Sequence, residues 1–261
     1  MKKYFSITFF FITAFTACTK TINVDLNNAA PQLVIEGIIT NKTFAQVFIS
    51  KSVTFSSSNN FPTVSGATVK ITDNLNNNFS LTENAPGFYS NSNLFGIPGR
   101  TYNLSVTING VNYTASSTMP QQVNLDTLLL TKIPYFNKMI TVVQPQYTDP
   151  SGIANYYSFI EMIEYPNKTF SAGFFFVWDD RFNDGGISTR PLIVADSTIS
   201  SGDTINVEMR CIDKNVYRYY NSLSNLQQNS TTPENPVSNI TGGCLGYFSA
   251  NTIQRKKVAI P

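Results

Sequence analysis

The chain has 261 residues, of which 18 are basic and 16 are acidic, and charged residues make up only 13% of it. This near-neutral balance lacks the basic surface that neutralises phosphates, so nucleic acid is not expected as a partner. No histidine is present, which excludes histidine-dependent triads, HExxH zinc sites and imidazole bases.

An export signal is predicted at the N-terminus. Lys2 and Lys3 precede an apolar run from Tyr4 to Ala17, which is shorter than the roughly 20 residues of a membrane-spanning helix. The sequence Phe15-Thr16-Ala17-Cys18 resembles a bacterial lipobox, with phenylalanine in place of the usual leucine. Residues 1–17 are therefore predicted to be a lipoprotein signal peptide.

Cys18 is the predicted lipid attachment point, and residues 18–32 are the predicted tether. Two or three acyl chains, palmitate among them, would hold the protein on the membrane permanently. The alternative is a cysteine that happens to follow an ordinary signal peptide. Cleavage would remove Lys2 and Lys3 and leave equal numbers of acidic and basic residues.

Residues 33–120 show the period of two that is typical of strands. Ala67, Val69 and Ile71 alternate with polar residues, which places them on one buried face. Asn109-Gly110 predicts a tight hairpin, and Pro86-Gly87 and Pro98-Gly99 predict further turns. Short strands with turns at this spacing indicate a β-sandwich of the immunoglobulin kind.

Residues 121–261 are predicted to form a second β-rich domain with one helix. Its strand-like runs are longer and more aromatic, and Phe174–Trp178 is apolar without alternation, as in a strand buried on both faces. The helix is predicted near residues 213–228, with Asp213 as its cap. The predicted fold class is therefore mainly β, with an N-terminal β-sandwich followed by a second β-rich (α+β) domain that contains one helix.

The densest acidic segment is DDRFNDGG at residues 179–186. Asp179, Asp180 and Asp184 are candidate ligands for Ca²⁺, which prefers oxygen-rich loops. The spacing does not fit an EF-hand, and the alternative is an ordinary turn rich in Asp, Asn and Gly. Apart from the lipid, no cofactor is expected.

Two further cysteines, Cys211 and Cys244, are left once Cys18 is assigned to lipid. An exported chain meets an oxidising compartment, so this even pair is a candidate disulfide. Two buried free thiols are the alternative.

A glycosidase would need paired carboxylates. Glu161 and Glu164 lie three residues apart in a predicted strand, so their side chains should point to opposite faces.

Several segments together resemble the domain-of-unknown-function family 4249. They are LVIEGIIT, VSGATVKITD, PGFY, GRTYNLSV, the DP-x-G-x-x-NYY run at 149–157 and NPVSNITGGCLGYFSA at 235–250. The resemblance implies a Bacteroidota outer-membrane lipoprotein found beside TonB-dependent receptors. The first half is also similar to the prealbumin-like sandwich of carboxypeptidase regulatory domains.

The resemblance and the signal together predict a non-catalytic accessory or binding subunit of a TonB-dependent receptor or other outer-membrane β-barrel. A free-standing surface protein that binds glycan or another ligand is one alternative, and a carboxylate hydrolase that uses residues 179–184 is another. The expected location is the outer membrane, on the cell surface rather than the periplasmic face. Lys20 departs from the acidic sequence that usually follows the cysteine in surface-exported lipoproteins.

Overall fold

In the computed structural model, residues 30–54, 60–166, 171–194, 199–228 and 235–261 are described. The signal peptide, Cys18 and nearly all of the predicted tether lie outside these residues. The described strands are β1 (Leu33–Thr40), β2 (Phe44–Lys51), β3 (Thr68–Asp73), β4 (Asn78–Ala85), β5 (Phe88–Phe95), β6 (Thr101–Ile108), β7 (Val111–Thr118), β8 (Leu125–Tyr135), β9 (Lys138–Thr148), β10 (Tyr156–Glu164), β11 (Ser171–Asp179), β12 (Ile187–Ser188), β13 (Thr204–Ile212), β14 (Ile240–Thr241) and β15 (Leu245–Ala259), and the helix is α1 (Lys214–Gln228).

The mainly β fold class is confirmed. Twelve strands form one sheet in the order β11-β10-β13-β15-β1-β2-β5-β4-β3-β6-β7-β14, and β12, β9 and β8 form a second sheet. The hairpin at Asn109-Gly110 is also confirmed, with φ angles of 50° and 81° and with Ile108 paired to Val111 across the turn. These positive φ values are the reason for the Asn-Gly preference in two-residue hairpin turns.

The last strand, β15, joins the two halves of the chain. Its first part pairs in parallel with β1, and its second part pairs antiparallel with β13. Gly246 allows the close approach to β1, because a Cβ there would lie 2.0 Å from the carbonyl oxygen of Ile35, and its φ is 101°. An L-residue would be strained at this φ and would also clash.

The two largest clusters of buried apolar side chains do not divide the chain cleanly at residue 120. One cluster is built from β1–β7 together with residues 240–250. A second runs from Val123 to Ile260 and fills the space between the small sheet and strands β10, β11 and β13. Residues Pro31–Pro261 form one compact unit, and the division at residue 120 into two domains stays a prediction.

Helix α1 covers the face of the large sheet that points away from the second cluster. Asp213 caps it as predicted, since its Oδ1 accepts hydrogen bonds from the backbone amides of Asn215 (2.8 Å) and Val216 (3.0 Å). Val216 and Tyr220 are buried against the sheet. The described residues contain no helix with the length and apolar character needed to cross a bilayer.

Strand β11 has a position in the sheet that the sequence did not predict. Its side chains do pack on both faces, with Phe176 against the second cluster and Phe175 against the aromatic residues of α1. However, β11 is at the end of the strand order and hydrogen-bonds only to β10. It is therefore an edge strand whose other backbone edge has no neighbour in the described sheet.

Candidate acidic cleft

Two loops meet at the ends of strands β9 and β11. The β9–β10 loop supplies Asp149, and the β11–β12 loop supplies Asp180 and Asp184. Carboxylate oxygens of these three residues all lie within 4.8 Å of one another. The sequence predicted Asp180 and Asp184 as ligands from one loop but did not predict Asp149. Asp149 is distant along the chain and reaches the group only through the pairing of the strands.

Hydrogen bonds hold the two loops together. Asn155 and Gly152 donate their backbone amides to Asp180 (2.7 Å) and Asp184 (2.7 Å), respectively. The backbone amide of Asp149 donates to the carbonyl of Gly186 at 2.9 Å. The positions of the carboxylates are therefore fixed mostly by backbone amides, which are rigid donors.

Asp149 is the buried member of the group, with 2% of its surface exposed. Tyr157 donates its hydroxyl to Oδ1, and the amide of Gly185 donates to Oδ2 at 3.3 Å. Burial raises the pKa of Asp149, and the charges of Asp180 and Asp184 raise it further, against the lowering effect of the two hydrogen bonds. A hard cation at this point would relieve the repulsion among the three carboxylates.

Asp179, the third candidate from the sequence, takes no part in this group. Its carboxylate pairs with the guanidinium of Arg181, whose Nη2 lies 2.5 Å from Oδ2. Burial raises the pKa of Asp179, but hydrogen bonds from Arg181 and Tyr217 and the charge of Arg181 outweigh burial and lower it overall. The cation candidates in the structure are therefore Asp149, Asp180 and Asp184.

Asp149 and Asp180, but not Asp184, line a cleft of about 490 Å³ at the end of β11. The residues that line it also include Tyr217 and Asn221 of α1 and residues 187–190. The Arg190 guanidinium lies 4.9 Å from the centre of the Trp178 ring, a cation–π geometry. The indole of Trp178 donates to the hydroxyl of Tyr147 at 2.8 Å, which holds two of the lining aromatic side chains in place.

A further acidic side chain, Glu161 of β10, is not among the residues that line the cleft. It is fully buried, neither of its carboxylate oxygens has a hydrogen-bond partner, and burial raises its pKa to about 7. Glu164, in contrast, is exposed, so the prediction that the two point to opposite faces is confirmed. The alternation alone indicated that one of them would be buried.

The predicted disulfide is not formed in the structure. Cys211 and Cys244 are both free and buried, and they belong to different core clusters. Cys211 is paired with Thr252 of β15, whereas Cys244 immediately precedes that strand, so the two are roughly 25 Å apart along it. A disulfide needs Cα atoms within about 7 Å. Burial raises the pKa of both thiols.

The family model described as "Domain of unknown function (DUF4249)" matches residues 19–257. The chain belongs to DUF4249. A search of curated proteins gave no match. The matched residues include the whole acidic cleft and the first core cluster, and all of the second cluster except its C-terminal residues Val258 and Ile260.

Proposed function

We propose that this DUF4249 protein is a Bacteroidota lipoprotein, anchored in the outer membrane through Cys18, and that it acts as a non-catalytic binding or accessory subunit of a TonB-dependent receptor or other outer-membrane β-barrel. The lipobox-like sequence before Cys18 and the family match support this proposal. We place the protein on the cell surface.

The observation that carries the proposal is the edge of β11 beside the cleft, which pairs with no further strand among the described residues. All nine residues of β11 pair with β10 without a register shift, and Ser171–Trp178 contains no charged residue and no proline. Proteins usually protect sheet edges with charges, prolines or bulges. An edge without these devices suits a partner that adds an extended segment as a new strand.

The cleft would give such a strand its specificity. Val177, Trp178 and Asp179 line the cleft, so a segment paired with the end of β11 would place alternate side chains between α1 and residues 187–190. Backbone hydrogen bonds then provide affinity, and Arg190 provides a recognition point for an acidic side chain. Among the described residues, no carboxylate forms an ion pair with Arg190.

Purification from native membranes in a gentle detergent tests this proposal. The informative variant is Gly173→Lys, because Gly173 is on β11 and a Cβ there would meet no atom within 4 Å. Leu75→Lys, at an exposed turn between β3 and β4, adds the same charge elsewhere. We expect wild type and Leu75→Lys to recover a barrel protein and Gly173→Lys to lose it. Purification of the wild-type protein as a monomer, without a barrel protein, would contradict the proposal.

A free-standing ligand-binding lipoprotein is the second candidate. The cleft favours it, because aromatic and charged side chains line it together, as in many sites for small polar ligands. Calorimetry with candidate glycans, compared between wild type and Arg190→Ala, separates this candidate from the first. Ligand binding by the isolated protein that is lost in Arg190→Ala would favour it.

The enzyme alternative is a carboxylate hydrolase. Asp149 and Asp180 favour it, since their oxygens lie within 4.8 Å and the pKa of Asp149 is raised, as in a general acid. Against it, the hydroxyl of Tyr157 occupies one oxygen of Asp149. Unchanged turnover of any identified substrate by Asp180→Asn would remove this site as the catalytic centre.

A further inference from the structure

The hairpin formed by β8 and β9 has a buried base and an exposed end. At the base, Leu125 and Tyr147 are paired and belong to the second core cluster. At the other end, Tyr135 is paired with Lys138, which leaves Phe136 and Asn137 as a two-residue loop. We call residues 132–139 the hairpin tip.

The hairpin tip exposes large apolar side chains close together. Phe136 is 91% exposed and Met139 is 60% exposed, and Tyr135 contacts Phe136 edge-on with 4.8 Å between ring centres. Single exposed apolar residues are common on protein surfaces, but a contiguous group marks a contact site. The tip is such a group, because Phe136 packs against Tyr135 and Met139 is paired with Pro134, the neighbour of Tyr135.

Phe136 is also held in an unfavourable backbone conformation, with a φ of 51°. Asn137 does not have positive φ, and a two-residue hairpin loop with positive φ only at its first position usually has glycine there. An aromatic residue in the left-handed region is an outlier that the rest of the fold must compensate. Neither this strain nor the exposure helps the isolated protein to fold, so the phenylalanine points to a contact outside it.

The charges around the tip indicate the chemistry of that contact. Lys132 and Lys138 are exposed, and neither forms an ion pair among the described residues. No acidic residue occurs between Thr127 and Thr148. Aromatic rings between lysines match the membrane–water interface, where rings enter the head-group region and lysines attract anionic lipids.

We propose that the hairpin tip inserts into the head-group region of an anionic lipid bilayer, with Phe136 and Met139 as the inserted side chains and Lys132 and Lys138 on lipid phosphates. This contact requires neither the lipid on Cys18 nor a barrel partner. It therefore goes beyond the function proposed above, and either can fail without the other.

Vesicle co-flotation of residues 31–261, which form one compact unit and carry no lipid, tests the proposal. The probes are vesicles of phosphatidylcholine alone and of phosphatidylcholine with phosphatidylglycerol at about 7:3, at roughly 0.1 M salt. We expect binding to the anionic vesicles. Replacing both lysines, Lys132→Gln and Lys138→Gln, should weaken it about thirtyfold, which corresponds to about 1 kcal/mol for each lysine.

Phe136→Asn is the decisive variant, and Phe182→Asn is its control. Asparagine tolerates positive φ, so the first change removes the ring and relieves the turn without endangering the fold. Phe182 is 94% exposed but lies among the aspartates of the β11–β12 loop. We expect vesicle binding to fall roughly tenfold or more in Phe136→Asn and to stay unchanged in Phe182→Asn.

Three results would overturn the proposal. The first is vesicle binding by Phe136→Asn equal to that of wild type. The second is an equal loss in Phe182→Asn, which would indicate non-specific adhesion of exposed rings. The third is concentration-dependent self-association of wild type in the ultracentrifuge that Phe136→Asn abolishes while no vesicles are bound, which would make the tip a contact between protein copies.

Discussion

Replacing Glu161 is expected to stabilise the protein by an amount that grows with pH. Its carboxyl group is fully buried and has no hydrogen-bond partner. Strand pairing places it beside Phe174 of β11 and Val207 of β13, which are apolar neighbours. The ionised form is therefore disfavoured in the folded state, and its pKa rises from 4.5 to about 7.

The sign of the pH dependence follows from this shift. Between pH 4.5 and 7, the folded protein keeps a proton that the unfolded chain has lost, so the free energy of unfolding decreases as the pH rises. A shift from 4.5 to about 7 corresponds to a loss of about 3 kcal/mol above pH 7. About 2.5 kcal/mol of this loss falls between pH 5 and pH 8.

Urea unfolding at these two pH values measures the effect. Other acidic groups also titrate, so the informative quantity is the difference between wild type and Glu161→Gln at each pH. We expect this difference to be about 2.5 kcal/mol larger at pH 8 than at pH 5. Glu161→Leu should stabilise the protein further, since it also removes the unpartnered polar group. An equal difference at both pH values would refute the assignment of a buried, unpaired carboxyl.

Other predictions concern the cleft, the junction of the two halves and the thiols. Asp184→Asn should lower the pKa of Asp149 and therefore stabilise the folded protein by about 0.5 kcal/mol at pH values above about 4. Equal urea midpoints for wild type and Asp184→Asn at pH 7 would contradict this. Gly246→Ala should lower the free energy of unfolding by more than about 3 kcal/mol through strain and clash. Gly152 also has a positive φ but faces open space, so Gly152→Ala should lower the free energy of unfolding by only about 1 kcal/mol. Thermal unfolding distinguishes the two variants, and equal losses would refute the clash. In the absence of reductant, the two buried thiols should react with iodoacetamide only after the protein has been unfolded. An intact mass that rises on reduction would disprove free thiols.

Local patterns predicted much of the fold. The alternation of Val69 and Ile71, the Asn109-Gly110 turn and the Asp213 cap depend on residues adjacent in the chain, and the structure confirms each. The physical reason is that side-chain period, positive φ and capping hydrogen bonds are set within a few residues.

Features that depend on distant parts of the chain were not predicted. The parallel pairing of β1 with β15 joins segments from opposite ends of the chain. Nothing in the sequence of either strand indicates which strand it pairs with. Asp149 joins the acidic group for the same reason, through strands that the sequence could not place side by side. The one local signal available was that each loop begins with an aspartate, Asp149 or Asp180, directly after a strand.

The disulfide prediction rested on compartment and number rather than on position. Cysteine count cannot show that Cys211 on β13 is paired with Thr252, in the middle of β15, while Cys244 lies just before the first residue of β15. The edge position of β11 was hidden in a similar way, because an apolar run without alternation indicates packing on both faces but not whether each backbone edge has a partner.

Photo-crosslinking in the native host tests the central claim most directly. A photoreactive amino acid at position 173 would sit on the open edge of β11, and the same residue at position 75 is the control. We predict one crosslinked product at position 173 that contains an outer-membrane β-barrel protein, and none at position 75. A protein that remains uncrosslinked at position 173 while it is correctly anchored in the outer membrane would contradict the account.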